Sequence, residues 1–213
     1  MAFQLTATTA IVEIEGISAY SQSKETESLP VVKGEAPGDR DIRLWKEHMH
    51  VLGTGPDARI TIPVHGFHQC LISGAKYSKI KIPGEPRGTW TAKFAAGISF
   101  PEEIITNQHP DDAKMETIYA NAKGQRGIGT RVLRRFPVFY NWAAKFPVLV
   151  LEPRITKDIF EEIVSLSGMF VGIGRFRPEN TGHLGRFSVK SLEWRENEAI
   201  TAAKSKRREL LDA

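Results

Sequence analysis

The spacing of apolar residues predicts two strand–helix–strand units along the chain. In residues 4–16, Ala10, Val12 and Ile14 fall on one face of a strand and Glu13 and Glu15 on the other, which is typical of a half-buried strand. Apolar side chains at helical spacing then predict a helix over residues 64–77. Alternating large and small residues predict a second strand over residues 89–100. These three elements form the first unit.

The second unit lies near the end of the chain. Residues 146–151 form a continuous apolar run, which predicts a buried strand. Thr156 can cap a helix that continues to about Met169, and a strand at residues 186–194 follows. The last stretch, residues 195–213, is charged and predicts a polar helix. A shorter helix is predicted near residues 39–50, with Asp39 as its N-cap.

Two strand–helix–strand units predict an α+β protein with a ferredoxin-like, RRM-like core, in which the helices cover one face of one sheet. RNA-recognition domains use the free face of such a sheet as a binding platform. The expected organisation is a first half at residues 1–100 with a polar loop at 24–38, a thumb-like insertion at 101–135, a second half at 136–194 and a charged helix at 195–213.

Composition indicates an ordinary soluble globular chain with a mild excess of positive charge. The 213 residues are 41% hydrophobic and 25% charged, with a net charge of +4. The apolar runs are too short for a membrane span, and the N-terminus lacks the pattern of a secretory signal. The single cysteine, Cys70, fits a reducing cytoplasm, and its apolar neighbours predict that it is buried and inert.

The strongest functional signal is the glycine-arginine loop (residues 171–187), which contains four glycines and three arginines. Glycines let another backbone approach closely, and arginine guanidinium groups suit phosphate. The alternative is a tight connection whose arginines are merely solvated. The order helix–loop–strand excludes a dinucleotide-binding fingerprint, and no P-loop motif occurs. The residues expected to contact nucleic acid here are Gly172, Gly174, Arg175, Arg177, His183, Gly185 and Arg186.

A second basic segment at residues 123–135 contains no acidic residue. It predicts another contact with the phosphate backbone, or else a solvated hairpin tip. The loop at residues 17–23 adds hydroxyl groups and an amide that could bond phosphate or bases, or satisfy its own backbone. The expected cations are Lys123, Arg126, Arg131, Arg134 and Arg135. The aromatic residues expected to be exposed or to stack on bases are Tyr20, Trp90, Phe139, Tyr140 and Trp142.

Residues with catalytic or metal-binding chemistry are sparse. His65 and His68 are spaced as metal ligands, but no Cys or carboxylate cluster completes the set, so neither a metal nor another cofactor is expected. Weak candidates for general-base catalysis are His183, Asp39 and Asp41. The sequence therefore favours a binding protein over an enzyme, with a metal-independent endoribonuclease as the alternative.

Three motifs resemble the RAMP superfamily of CRISPR-associated RNA-binding proteins. The sequences VGIGR at 171–175 and GHLGRF at 182–187, between a helix and the last strand, resemble its glycine-rich loop. The sequences IPVHGF at 62–67 and LISGA at 71–75 look like the strand-to-helix transition of its backbone subunits. The sequence EGISAY at 15–20 is similar to their first strand and loop. Together these motifs cover about a quarter of the chain.

The resemblance implies a ferredoxin-like core that binds single-stranded RNA, often as a repeated subunit, with residues 101–135 as a thumb. The sequence RFRP at 175–178 departs from the family pattern, and the chain is shorter than many backbone subunits. A stand-alone or phage-encoded relative that binds single-stranded DNA or RNA is therefore an alternative. Another is an assembly protein that contacts an acidic partner. The expected partners are single-stranded RNA or DNA, in a homo-oligomer or a ribonucleoprotein, without a membrane. The expected location is the cytoplasm of a prokaryotic cell, including a phage-infected host.

Overall fold

The computed structural model describes residues 6–24, 32–35, 37–121 and 131–199. The strands are β1 (Thr6–Gly16), β2 (Tyr20–Ser21), β3 (Val51–Leu52), β4 (Arg59–Ile62), β5 (Ile98–Ser99), β6 (Ile104–Ile105), β7 (Lys114–Asn121), β8 (Arg131–Phe139), β9 (Ala143–Val150) and β10 (Phe187–Ala199). The α-helices are α1 (Pro37–Leu44), α2 (Val64–Ser78), α3 (Trp90–Gly97) and α4 (Lys157–Leu166).

A four-stranded antiparallel sheet with the order β10-β1-β9-β5 forms the centre of the structure. Helices α2 and α3 lie in the chain between β1 and β5, and α4 lies between β9 and β10. Two three-stranded sheets accompany it, with the orders β2-β8-β7 and β3-β4-β6. The protein is thus of mixed α and β structure with antiparallel sheets, which is compatible with the predicted α+β class.

The core lies between the central sheet and helices α2 and α4 because their apolar faces match. The alternation predicted for β1 is present, since Ala10, Val12 and Ile14 are each at most 1% exposed. From α2, the ring of Phe67 reaches the sheet and lies 5.0 Å from Phe146, centroid to centroid. This packing is worth several kcal/mol for each large side chain that leaves water. The helix predicted at residues 64–77 is confirmed.

Helix α4 begins where its sequence indicates and ends at Leu166, before the predicted end near Met169. The side chain of Thr156 accepts a hydrogen bond from the backbone N–H of Ile159, which caps the first turn. Its inner face is formed by Phe160, Ile163 and Val164, all buried. A wider π-helical turn at Ser167–Val171 follows and leads directly into the glycine-arginine loop. The N-terminal position of this helix was therefore predicted correctly.

The strand predicted at residues 89–100 is wrong, because most of this stretch forms α3. Thr89 caps the helix by accepting a hydrogen bond from the N–H of Ala92. Trp90 and Phe94 are buried one helical turn apart, whereas Ala92 and Ala96, which the alternation placed beside them, are exposed. The small alanine side chains are compatible with the spacing of a strand and with that of a helix, so the sequence pattern is ambiguous here.

Two further expectations about the chain are corrected. Strand β10 runs to Ala199 because it stays paired with β1 as far as Thr6, so the helix predicted over residues 195–213 is wrong for 195–199. Residues 200–213 lie outside the described residues. Asp39 is not an N-cap, because α1 already begins at Pro37, a residue that suits the first turn of a helix.

Cys70 points from α2 into the core and is 3% exposed, so the prediction that it is buried is confirmed. Burial raises the pKa of its thiol to about 12, which disfavours the reactive thiolate at neutral pH. Within the described part of the chain, no helix is long and apolar enough to cross a membrane.

Replacing Phe67 by alanine is expected to lower the free energy of unfolding by about 3–5 kcal/mol, because it leaves a cavity between α2 and the sheet. The control is Tyr77→Ala on the same helix, whose side chain is 51% exposed and should cost much less. Urea denaturation followed by circular dichroism measures both values. Equal losses for the two variants would contradict the assignment of Phe67 to the core.

Candidate nucleic-acid interface

The glycine-arginine loop is folded tightly onto the segment that contains β2. The backbone N–H of Arg175 donates to the carbonyl of Ser21 at 2.8 Å, and that of Gly185 donates to Ala19 at 2.8 Å. The two arms of the loop are joined by a bond from the N–H of Ile173 to the carbonyl of Gly185, at 2.9 Å. The loop is thus a packed part of the fold and not an open ribbon.

Two glycines make this close contact sterically possible. Gly174 and Gly185 have φ values of +73° and +74°, a region that residues with a Cβ atom rarely adopt. A Cβ atom on Gly174 would overlap the carbonyl oxygen of Ser21, and one on Gly185 would overlap that of Ile173. The glycines admit neighbouring backbone from the same chain. Gly172 and Gly185 are buried, and a contact of either glycine with nucleic acid stays a prediction.

Arg175 joins the two basic segments that are far apart in the sequence. Its guanidinium carbon lies 3.7 Å from the centroid of the Phe136 ring on β8, in a cation–π contact. Partial burial, followed by the charge of Arg134, lowers the pKa of Arg175. Among the described residues, no carboxylate contributes to that shift. The neighbouring ring of Phe176 also packs on Phe136, at 5.6 Å.

Arg177 is paired within the loop. Its Nε and a terminal nitrogen donate to Glu179 at 2.9 and 2.8 Å. Partial burial acts to raise the pKa of Glu179, but hydrogen bonds from Ser73 and Arg177 and the charges of Arg177 and Lys76 outweigh it, so the net shift is downward. Part of the positive charge predicted for the loop is therefore neutralised by the loop itself.

The remaining loop residues differ in their surroundings. The Nε of Arg186 donates to the carbonyl of Met169 at 3.0 Å, which holds that side chain against the end of the π-helical turn. Arg186 does not line the pocket that opens beside Arg175 and Arg177. His183 is exposed at the surface of the loop.

The cations of β8 lie on alternating faces of the β7–β8 hairpin. Arg134 pairs across the ladder with Ile118, and Arg135 pairs with Thr117, so their side chains leave opposite faces. Arg134 shares its face with Phe136, toward Arg175. Arg131 belongs to β8, but its side chain lies outside the described residues, as do Lys123 and Arg126 entirely.

A pocket of about 240 Å³ opens beside Arg175 and Arg177. Its other walls include Gln22, His50 and the first turn of α2. Burial, followed by the charge of Lys24, lowers the pKa of His50 against an opposing effect of Glu103, which favours the neutral imidazole. The amide in the loop at residues 17–23 was the one sequence feature that pointed toward this pocket, and nothing in the sequence singled out His50.

Most of the aromatic residues predicted to be exposed or to stack on bases are inside the protein. Phe139 and Trp142 are at most 1% exposed, so the prediction that they are exposed is wrong. Tyr20 and Trp90 are at most 3% exposed, but Tyr20 lines the pocket beside Arg175, and stacking on a base stays a prediction. Their rings pack in the core, where Tyr20 lies 5.5 Å from Trp142. Tyr140 is 49% exposed and donates a hydrogen bond to Glu116.

The structure does not bring the weak catalytic candidates together. His183 is exposed in the loop, Asp39 is exposed on α1, and the side chain of Asp41 lies outside the described residues. His68 faces α3, with its Nε2 2.9 Å from the carbonyl of Phe94, and His65 is exposed. In the described ranges, no three His, Cys, Asp or Glu residues form a group suited to a metal ion.

Comparison with known proteins yields distant structural likenesses. No protein-family model matches the chain, and no curated protein matches its sequence. The chain resembles a subunit in the cryo-EM structure of the type III-B Cmr-β complex bound to cognate target RNA, with 12% identity and a TM-score of 0.46. That match covers 90% of this chain but 62% of the longer subunit.

Two other solved structures are similar at the same level. Cmr6 from Pyrococcus furiosus has 11% identity and a TM-score of 0.46, covering 85% of this chain and 98% of that one. A subunit of a CRISPR RNA-guided surveillance complex has 8% identity and a TM-score of 0.40, covering 86% and 68%.

Replacing Gly174 by alanine is expected to lower the free energy of unfolding by at least about 3 kcal/mol, because backbone strain adds to an overlap with Ser21. Gly84→Ala is the matched control. Its φ is +76°, but its Cβ would meet nothing within 4 Å, so only strain of about 1–2 kcal/mol remains. Urea denaturation gives both values, and a Gly174 variant as stable as the Gly84 variant would contradict the packed loop.

Proposed function

We propose that this protein binds single-stranded nucleic acid, RNA rather than DNA, by holding its phosphate backbone, and that it does not cleave the strand. The observation that carries the proposal is the position of Arg175 over the Phe136 ring of the hairpin, where the charge of Arg134 acts on it. Two basic segments, one from the loop and one from the hairpin, thereby form one cationic surface. The RAMP-like motifs favour RNA over DNA.

The surroundings of Arg175 suit a phosphate. Its side chain is half-buried and packed on an aromatic ring, so little conformational entropy is lost when it binds. An arginine stays charged even when it is partly buried. The charge of Arg134 adds to the positive potential at Arg175. A phosphate oxygen would be attracted by this potential and would accept charge-assisted hydrogen bonds from the guanidinium group.

We further propose that the central sheet is a ferredoxin-like core and that the β7–β8 hairpin is a thumb. The order β10-β1-β9-β5, with helices in both connections, supports the first point. The hairpin falls largely within the predicted insertion at residues 101–135. On the hairpin face opposite Arg134, the exposed side chains of Met115, Tyr119 and Leu133 offer an apolar surface to a neighbouring subunit along the strand.

Arg175→Gln is expected to weaken binding to single-stranded RNA by about tenfold or more, because a charged hydrogen-bond donor to phosphate is lost. The slope of log affinity against log salt should fall by about 0.7 for each phosphate contact removed. Arg154→Gln is the matched control: it removes the same charge from a side chain that pairs with Glu85 and does not line the pocket. Fluorescence anisotropy across a salt series measures both effects.

If Arg175→Gln and Arg154→Gln bind RNA with equal affinity and equal salt slope, the proposed interface is wrong. Parallel titrations with single-stranded DNA and with duplex test the preference for unpaired RNA. Incubating the labelled RNA with wild-type protein tests the endoribonuclease alternative, which requires the strand to be cut. Melting temperatures of both variants show whether either loss is due to unfolding.

A further inference from the structure

We infer that the pocket beside Arg175 receives one unpaired nucleobase and that Gln22 recognises it by hydrogen bonds. This inference rests on the proposed binding of single-stranded nucleic acid and adds a contact to the base, where the loop contacts the phosphate. It concerns a residue that takes no part in the cationic surface formed by Arg175 and Arg134.

The side-chain amide of Gln22 is the observation that points to a ligand. Gln22 is 2% exposed and lines the pocket. Within the described part of the chain, neither its amide nitrogen nor its amide oxygen has a hydrogen-bond partner. A buried amide without partners costs free energy in the free protein. Such groups are rare in folded proteins, and a binding role is one reason to retain them.

The chemistry of the amide fits a base. A glutamine side chain presents one donor and one acceptor side by side, the pattern that pairs with the edge of a nucleobase, as in bidentate contacts to adenine. The pocket volume of about 240 Å³ is below the range typical of drug-sized ligands, about 300–1,000 Å³. This volume nevertheless equals the volume that about eight water molecules occupy in the liquid, which leaves room for a planar ring system.

The rest of the pocket fits the sugar-phosphate attached to that base. Arg175 and Arg177 form one wall, and the first turn of the 15-residue helix α2 forms another. No described side chain caps this helix, so its first backbone N–H groups remain available to an anion. The lowered pKa of His50 favours its uncharged imidazole as a neighbour of the base.

The test separates the contact with the base from the contact with the phosphate. Wild type and Gln22→Met are titrated with a short single-stranded RNA and with an abasic strand of the same length and charge. Wild type is expected to prefer the RNA. Gln22→Met, which keeps the length of the side chain but has no amide, should lose about fivefold or more of that preference. It should bind the abasic strand as wild type does.

Ser21→Ala is the matched control. The Ser21 hydroxyl is also buried and without a partner among the described residues, but Ser21 does not line the pocket. Its variant should keep the full preference for RNA. Both variants should melt no lower than wild type, because each removes a buried polar group that has no described partner. A purely structural role for Gln22 would instead lower the melting temperature without changing the preference.

The outcomes distinguish the two levels of the proposal. If wild type binds neither strand, the proposed function fails. If it binds both strands and Gln22→Met keeps the preference for RNA, or Ser21→Ala loses as much of it, the base pocket is wrong while the phosphate interface stands. Should Gln22→Met fail to fold, NMR of the wild type decides. The side-chain NH₂ signal of Gln22 must shift with RNA and stay in place with the abasic strand.

Discussion

The close backbone contact between the glycine-arginine loop and the segment containing β2 positions everything else at the candidate site. The N–H of Arg175 reaches the carbonyl of Ser21, and the N–H of Gly185 reaches that of Ala19. These bonds need glycine at 174 and 185, because a Cβ atom would occupy the same space as a carbonyl oxygen. Two segments that are far apart in the sequence are thereby fixed side by side. Each of these segments contributes residues to the wall of the pocket.

The contact also determines what Arg175 can do. The backbone N–H of Arg175 is hydrogen-bonded to the carbonyl of Ser21, and its side chain lies over the Phe136 ring. The charge of Arg134 acts on the guanidinium group there. Partial burial and the charge of Arg134 both disfavour the charged form of Arg175, and a bound anion would offset both effects. The same closure leaves the amide of Gln22 buried without a described partner. Polar groups from both sides of the contact are therefore arranged in a way that a ligand would stabilise.

How much of this could be predicted from sequence depended on whether the signal was local. Strand β1 and helices α2 and α4 follow from periodic apolar residues, and Thr156 marks the start of α4. Helix α3 did not follow, because its alanines fit a strand as well as a helix. The loop was located from its glycines and arginines, but its partner was not, since the bond from Arg175 to Ser21 spans most of the chain. Burial of Tyr20 and Phe139 was hidden for the same reason.

The pairing of Arg177 with Glu179 has to be weighed against the cationic character of the loop. A loop whose arginines were all held by carboxylates of the same chain would have little charge to offer a phosphate. Here the side chains of the pair remain 35% and 36% exposed, and ion pairs near water are worth about 0–1 kcal/mol. A phosphate could therefore compete with Glu179 for Arg177, whereas Arg175 has no described carboxylate to exchange. In the proposed interface, Arg175 is therefore the arginine more available to a phosphate, and we expect it to contribute more to the affinity than Arg177.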